Sequence, residues 1–131
     1  MKPLAPDTAA LVKEILLQID GALSTVRYRF EPVTCVEDFL DTPQGLEKLD
    51  SLCMLFIAVG ESLKKIDKIT DNALLSRYDG IDWKAIKGMR DVLSHHYFDL
   101  NAEAIYMTCR DDVEPLQRAI REILEALEKE M

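Results

Sequence analysis

Apolar residues recur at helical spacing along most of the chain. Positions 11, 12, 15, 16, 19, 23 and 26 carry one such stripe behind Pro6 and the capping pair Asp7-Thr8, and they predict a first helix from about residue 8 to 29. From Glu31 to Asp41, Pro32 and several β-branched residues break the period, which predicts a connector with room for a short helical turn. Thr42-Pro43 then reads as an N-cap followed by proline at the first helical position. Leu46, Leu49, Leu52, Cys53, Leu55, Phe56, Val59, Leu63 and Ile66 keep the helical period, so the apolar run Leu52 to Val59 is expected to lie in a central, deeply buried helix rather than a strand.

Asn72 to Tyr78 predicts a short helix closed at Asp79-Gly80, where the glycine is suited to a positive φ. Asp82 is placed to cap a helix carrying Trp83, Ile86, Met89 and Leu93. Asn101 is placed to cap a last helix through Ile105, Leu116, Ile120, Ile123, Leu124 and Leu127, which Pro115 kinks or divides. The pattern contains no strand alternation, glycine-rich phosphate loop or internal repeat. The expected fold class is all-α: an up-and-down bundle of four to five helices in one domain over residues 1–131.

Composition agrees with a packed core, since 48% of residues are hydrophobic and 31% charged. The net charge of -8 opposes broad attraction to a nucleic-acid backbone, so any RNA-facing surface must be local. One such stretch exists between residues 64 and 90, where Lys64, Lys65, Lys68, Arg77, Lys84, Lys87 and Arg90 outnumber Asp67, Asp71, Asp79 and Asp82. Negative charge gathers instead toward the chain's ends. Cys35, Cys53 and Cys109 are odd in number and widely spaced, suggesting neither a disulfide framework nor a zinc site. No signal-peptide pattern opens the chain, and the longest apolar run is far short of the roughly 20 residues that span a bilayer. A cytoplasmic protein with no membrane partner is expected.

Both histidines fall in Arg90-Asp91-Val92-Leu93-Ser94-His95-His96-Tyr97. Imidazole, with an unperturbed pKa near about 6.5, moves protons at neutral pH, and a guanidinium holds charge growing on phosphate oxygens. An arginine beside a histidine therefore suits metal-independent cleavage of RNA by its own 2′-hydroxyl. Five residues along an ideal helix turn roughly 140°, so Arg90 and His95 share a face only if the backbone turns near His95. Asp91 and His95, four apart, can meet on one face, so Asp91 is a candidate to orient the imidazole. The same residues also read as a surface arginine, a helix-ending His-His pair and a packing tyrosine. Two adjacent histidines lack the spacing to face one ion from a helix, so no metal site is expected.

The octet matches the Rx4HxY form of the HEPN signature. Ile57-Ala58-Val59-Gly60-Glu61-Ser62 resembles that superfamily's "IGEA" helix segment, Ile81 to Arg90 resembles its "I-x-W-x-x-I-x-G-M-R" approach, and Pro115-Leu116 loosely resembles a "P-x-L" in the last helix. The chain thus resembles HEPN proteins, nearest to the HepT-like ribonuclease toxins, most densely over residues 52 to 120. The resemblance implies a homodimeric helical bundle with two Arg/His motifs facing one cleft, acting as a metal-independent endoribonuclease without a cofactor. It assigns catalysis to Arg90 and His95, with Asp91, Glu61 and His96 in support, and RNA rather than DNA as substrate.

It further implies a separate minimal nucleotidyltransferase antitoxin, MntA-like, that places AMP on the motif tyrosine, here Tyr97. Adenylate there adds charge and bulk where a substrate phosphate would sit. Glu61 is either a hydrogen-bond partner fixing Arg90 or a solvated residue. Lys84 and Lys87 are either RNA-backbone contacts or solvated lysines, and Trp83 is either a base-stacking surface or core. His96 competes with His95 for the acid-base role. The competing function is a non-catalytic HEPN nucleotide-binding module that serves as the helical partner of a nucleotidyltransferase.

Overall fold

The computed structural model describes residues 3–95 and 101–131, with the backbone but not the side chain of His95. Among these residues it contains six α-helices and no strand: α1 Pro6–Phe30, α2 Glu37–Leu40, α3 Pro43–Ile69, α4 Trp83–His95, α5 Ala102–Asp111 and α6 Val113–Glu130. The expected all-α bundle is therefore found. Two elements raise the helix number above four: the single turn α2 in the connector, and the division of the last helical stretch at Asp112. Pro115 lies in the first turn of α6, where a missing N–H does no harm, so the chain breaks ahead of it.

The stripes become the core. Val12, Leu16, Leu23 and Val26 of α1, Leu52, Leu63 and Ile66 of α3, and Ile120 and Ile123 of α6 are almost wholly removed from water. Polar contacts fix the directions. Lys48 Nζ, early in α3, donates to the Arg29 carbonyl late in α1 at 3.0 Å. On the other flank, Lys13 pairs with Glu128 at 3.7 Å and Arg121 with Asp20 at 2.9 Å, so α6 also runs antiparallel to α1. Between them, buried Gln117 takes a hydrogen bond from Arg27 and donates to Asp20 and Ser24, at 2.8 to 3.2 Å. A buried amide is tolerable because its donors and acceptor are satisfied.

Three of the expected caps form, whereas α1 starts at Pro6 with Ala5 as its N-cap and no side-chain cap bond, so Asp7 and Thr8 lie inside its first turn rather than ahead of it. Thr42 Oγ1 accepts from Gly45 N at 3.0 Å, Asp82 Oδ1 from Ala85 N at 3.0 Å, and Asn101 Oδ1 from Ala104 N at 3.1 Å. At Gly45 an added Cβ would lie 2.0 Å from the Asp38 carbonyl oxygen, so only glycine lets α2 rest on the start of α3. The connector is further held by Phe39, fully buried, and by Tyr106, whose hydroxyl donates to the Thr34 carbonyl at 2.9 Å.

The segment after α3 departs from expectation. Residues 72–78 hold only a 3-10 turn, Leu75–Arg77, and Gly80 does not take a positive φ. The left-handed positions are Asp71 (φ 51°) and Asn72 (φ 60°), just past the end of α3. The Asn72 N–H reaches back to the Asp67 carbonyl at 2.8 Å, closing α3 through a Schellman-type turn with Asp and Asn in place of glycine. Short polar side chains tolerate that conformation, and the signal for the turn was placed too late in the chain. Two apolar residues counted into the stripes, Leu11 and Leu46, are exposed. No helix among the described residues is long and apolar enough to cross a membrane.

Candidate functional site

The candidate site forms where α4 packs on α3. At Gly60, in the middle of α3, a Cβ would stand 2.7 Å from the Cβ of Arg90, closer than side-chain atoms approach. The absence of that Cβ brings the α4 backbone near enough for Arg90 to lie along α3. There the buried Nε of Arg90 forms an ion pair with Oε1 of Glu61, the residue after the glycine. Gly60 and Glu61 thus act together: the glycine admits the arginine and the carboxylate fixes one edge of its guanidinium.

The other edge leans on Asp91. Arg90 Nη1 donates to Asp91 Oδ1 at 3.0 Å, and Lys64, one turn after Gly60 on α3, donates to both Asp91 oxygens at 3.1 Å. The Lys64 ammonium, followed by the Arg90 guanidinium, holds the Asp91 carboxyl below its usual value against a small opposing effect of desolvation. The guanidinium is thus anchored on two sides and stays partly exposed, and Nη2 has no hydrogen-bond partner among the described residues. A planar cation fixed in this way presents a ready donor edge to a phosphate oxygen.

The sequence-derived candidates are placed as follows. Arg90, Asp91 and Glu61 come together as one cluster. Glu61 forms the ion pair with Arg90 while its side chain stays half exposed, so it shares features of both readings open for it. Lys87 forms an ion pair with the nearly buried Asp67 and so clamps α4 to α3, whereas Lys84 is exposed on α4. Trp83 is buried, its Nε1 donating to the Tyr78 carbonyl at 2.8 Å, which makes it core. Cys53 is core as expected, and burial pushes its thiol up to about 11. The imidazoles of His95 and His96 and the phenol of Tyr97 lie outside the described residues, as does any Asp91 to His95 pairing. Sequence reasoning missed Gly60 as the point of closest approach and Lys64 as the partner of Asp91; a glycine inside a long apolar helix was the available signal for the first.

The family model for the HepT-like ribonucleases matches residues 19–123, which takes in α3, α4 and the cluster between them. The chain belongs to this family. It is similar to a "Putative RNase" of Caldanaerobacter subterraneus subsp. tengcongensis, 33% identical over 67 residues that make up 51% of this chain and 56% of the relative. A "Putative RNase" of Methanocaldococcus jannaschii is 30% identical over 71 residues, 54% of this chain and 58% of that protein. The matched region thus spans little more than half the length of each relative. No solved structure matches the chain.

Proposed function

We propose that this HepT-like protein is a metal-independent endoribonuclease whose site is built on Arg90 and His95. The observation that carries the reading is the anchored guanidinium of Arg90, held by Glu61 and Asp91 with a donor edge left for a phosphate. In the proposed reaction the 2′-oxygen of RNA attacks the adjacent phosphorus while the bond to the 5′-oxygen of the next nucleotide breaks. A 2′,3′-cyclic phosphate and a free 5′-hydroxyl result. His95, or His96 in its place, moves the proton, and Arg90 neutralises charge on the phosphate oxygens.

The wider reading is a toxin paired with a nucleotidyltransferase antitoxin, acting as a homodimer whose two motifs share a cleft and silenced by AMP on Tyr97. Met54 of α3 and Val92 of α4, large apolar side chains on the two site-bearing helices, are exposed and so leave apolar surface that a second copy would cover. The net charge of -8 favours a second reading, the non-catalytic nucleotide-binding module.

The deciding test is RNA cleavage by the purified protein in EDTA, beside Arg90→Ala and His95→Ala, with intact mass checked for adenylate. Cleavage to cyclic-phosphate ends that both substitutions abolish is expected. Unmodified wild-type protein that leaves varied RNAs intact would overturn the ribonuclease and favour the binding module.

A further inference from the structure

Beside the site, an open groove of about 800 Å³ lies between α1 and α3, lined by Leu11, Glu61, Ser62, Lys64, Lys65, Lys68 and Ile69. It begins at Glu61, the carboxylate that anchors Arg90. Glu61, Lys65 and Lys68 are spaced i, i+4, i+7 and so follow one face of α3, with about 10 Å of rise from first to last. Lys64 is engaged by Asp91, but Lys65 and Lys68 are exposed and have no ion-pair partner among the described residues. Two such cations side by side, leading away from an anchored arginine in a chain of net charge -8, make a local path for an anion where most of the surface repels one.

We infer that this groove carries the phosphodiester backbone of single-stranded RNA flanking the bond that is cut, with Lys65 and Lys68 contacting its phosphates. The inference rests on the ribonuclease reading and deepens it by assigning the substrate's course across the surface. Phosphate contacts of this kind hold the strand in register and carry no base preference. Exposed Leu11 and partly buried Ile69 give the groove an apolar floor against which sugar or base faces rest. The assignment moves the RNA path from α4, where Lys87 is occupied by Asp67, to the C-terminal half of α3.

The test measures binding apart from cleavage. A fluorescent single-stranded 2′-O-methyl RNA, which lacks the attacking hydroxyl, is titrated by anisotropy at several salt concentrations against the full chain. Wild type is compared with Lys65→Ala/Lys68→Ala and with Arg118→Ala, which removes a positive charge from α6 outside the groove. Turnover of ordinary RNA by the same proteins is then measured. Loss of two phosphate contacts should weaken binding about tenfold at low salt and make the salt slope shallower by about 1.4. KM should rise with kcat held, while Arg118→Ala follows wild type. Wild-type affinity and salt slope in the double variant, or no RNA binding by wild type, would overturn the groove and point to a protein surface as its occupant. Lysine-dependent binding without any cleavage would uphold the groove and overturn the catalytic reading.

Discussion

Arg90 illustrates how one residue's chemistry is set by its neighbours. On its own it is a cation on a long, mobile stem. With Nε buried against Glu61 and Nη1 on Asp91, its plane is fixed before any ligand arrives, so less ordering entropy would be lost on binding the phosphate of the proposed substrate. The cysteines show the opposite case, of groups that burial removes from chemistry. Burial first, and Asp50 second, push the Cys53 thiol up to about 11; burial first, and Cys53 second, push Cys109 up to about 12. Both stay protonated at neutral pH, and the thiolate is the reactive form. Titration of the native protein with a thiol reagent at pH 7.5 should therefore modify half-buried Cys35 quickly and the other two only after denaturation. Fast modification of all three would show that the core opens readily.

At the scale of elements, the contact of α3 with α4 is held by the close approach at Gly60 and by three ion pairs, Glu61 to Arg90, Lys64 to Asp91 and Asp67 to Lys87. Gly60→Ala brings a methyl group to 2.7 Å from Arg90 Cβ, so the helices must part or tilt. A loss of about 1–3 kcal/mol is expected from overpacking, read by urea unfolding, together with a fall in the proposed ribonuclease activity as Arg90 moves from Glu61. Since alanine is otherwise the better helix former, a more stable variant would show that the approach is looser than described. The Lys64 to Asp91 pair predicts a pH effect. The Asp91 carboxyl is held below its usual 3.8, so the pair's contribution is present above that value and is lost as pH falls through the lowered one. Wild type should thus be more stable than Asp91→Asn near neutrality, and their thermal midpoints should converge once pH has fallen below the lowered value of the Asp91 carboxyl. Parallel curves down to the most acid pH would show that Asp91 contributes nothing by charge.

At the scale of the molecule, the bundle gives every long helix a buried stripe, yet large apolar side chains stay exposed at Met54 and Val92 on the two helices that meet at Arg90. A second copy seated on these helices, as the proposed function has it, would take these side chains out of water. Sedimentation of the unmodified protein should therefore give the mass of two chains, and Val92→Glu should shift it toward one. A monomeric wild type at all accessible concentrations would remove the shared cleft from the proposed function.

The sequence alone determined the local features of this protein. Helical periods, the caps Thr42, Asp82 and Asn101, the buried stripes and the Arg90 to Tyr97 motif all depend on residues a few positions apart, and such short-range rules act before any tertiary contact exists. Local rules also had limits, since helical period placed Leu11 and Leu46 in stripes whose edges the neighbouring helices leave uncovered. The αL turn at Asp71-Asn72 went unread because glycine, the stronger signal, stood eight residues later at Gly80. Only the tertiary structure decided which charges meet. Lys64 takes Asp91, Lys87 takes Asp67 and Glu61 takes Arg90 across 20 to 29 positions of chain, because helix packing, which no single segment encodes, sets which faces oppose. The same packing left Lys65 and Lys68 exposed beside Leu11, from a helix far away in sequence, and so made a groove from two cations of the positive stretch and an apolar residue counted into the α1 stripe.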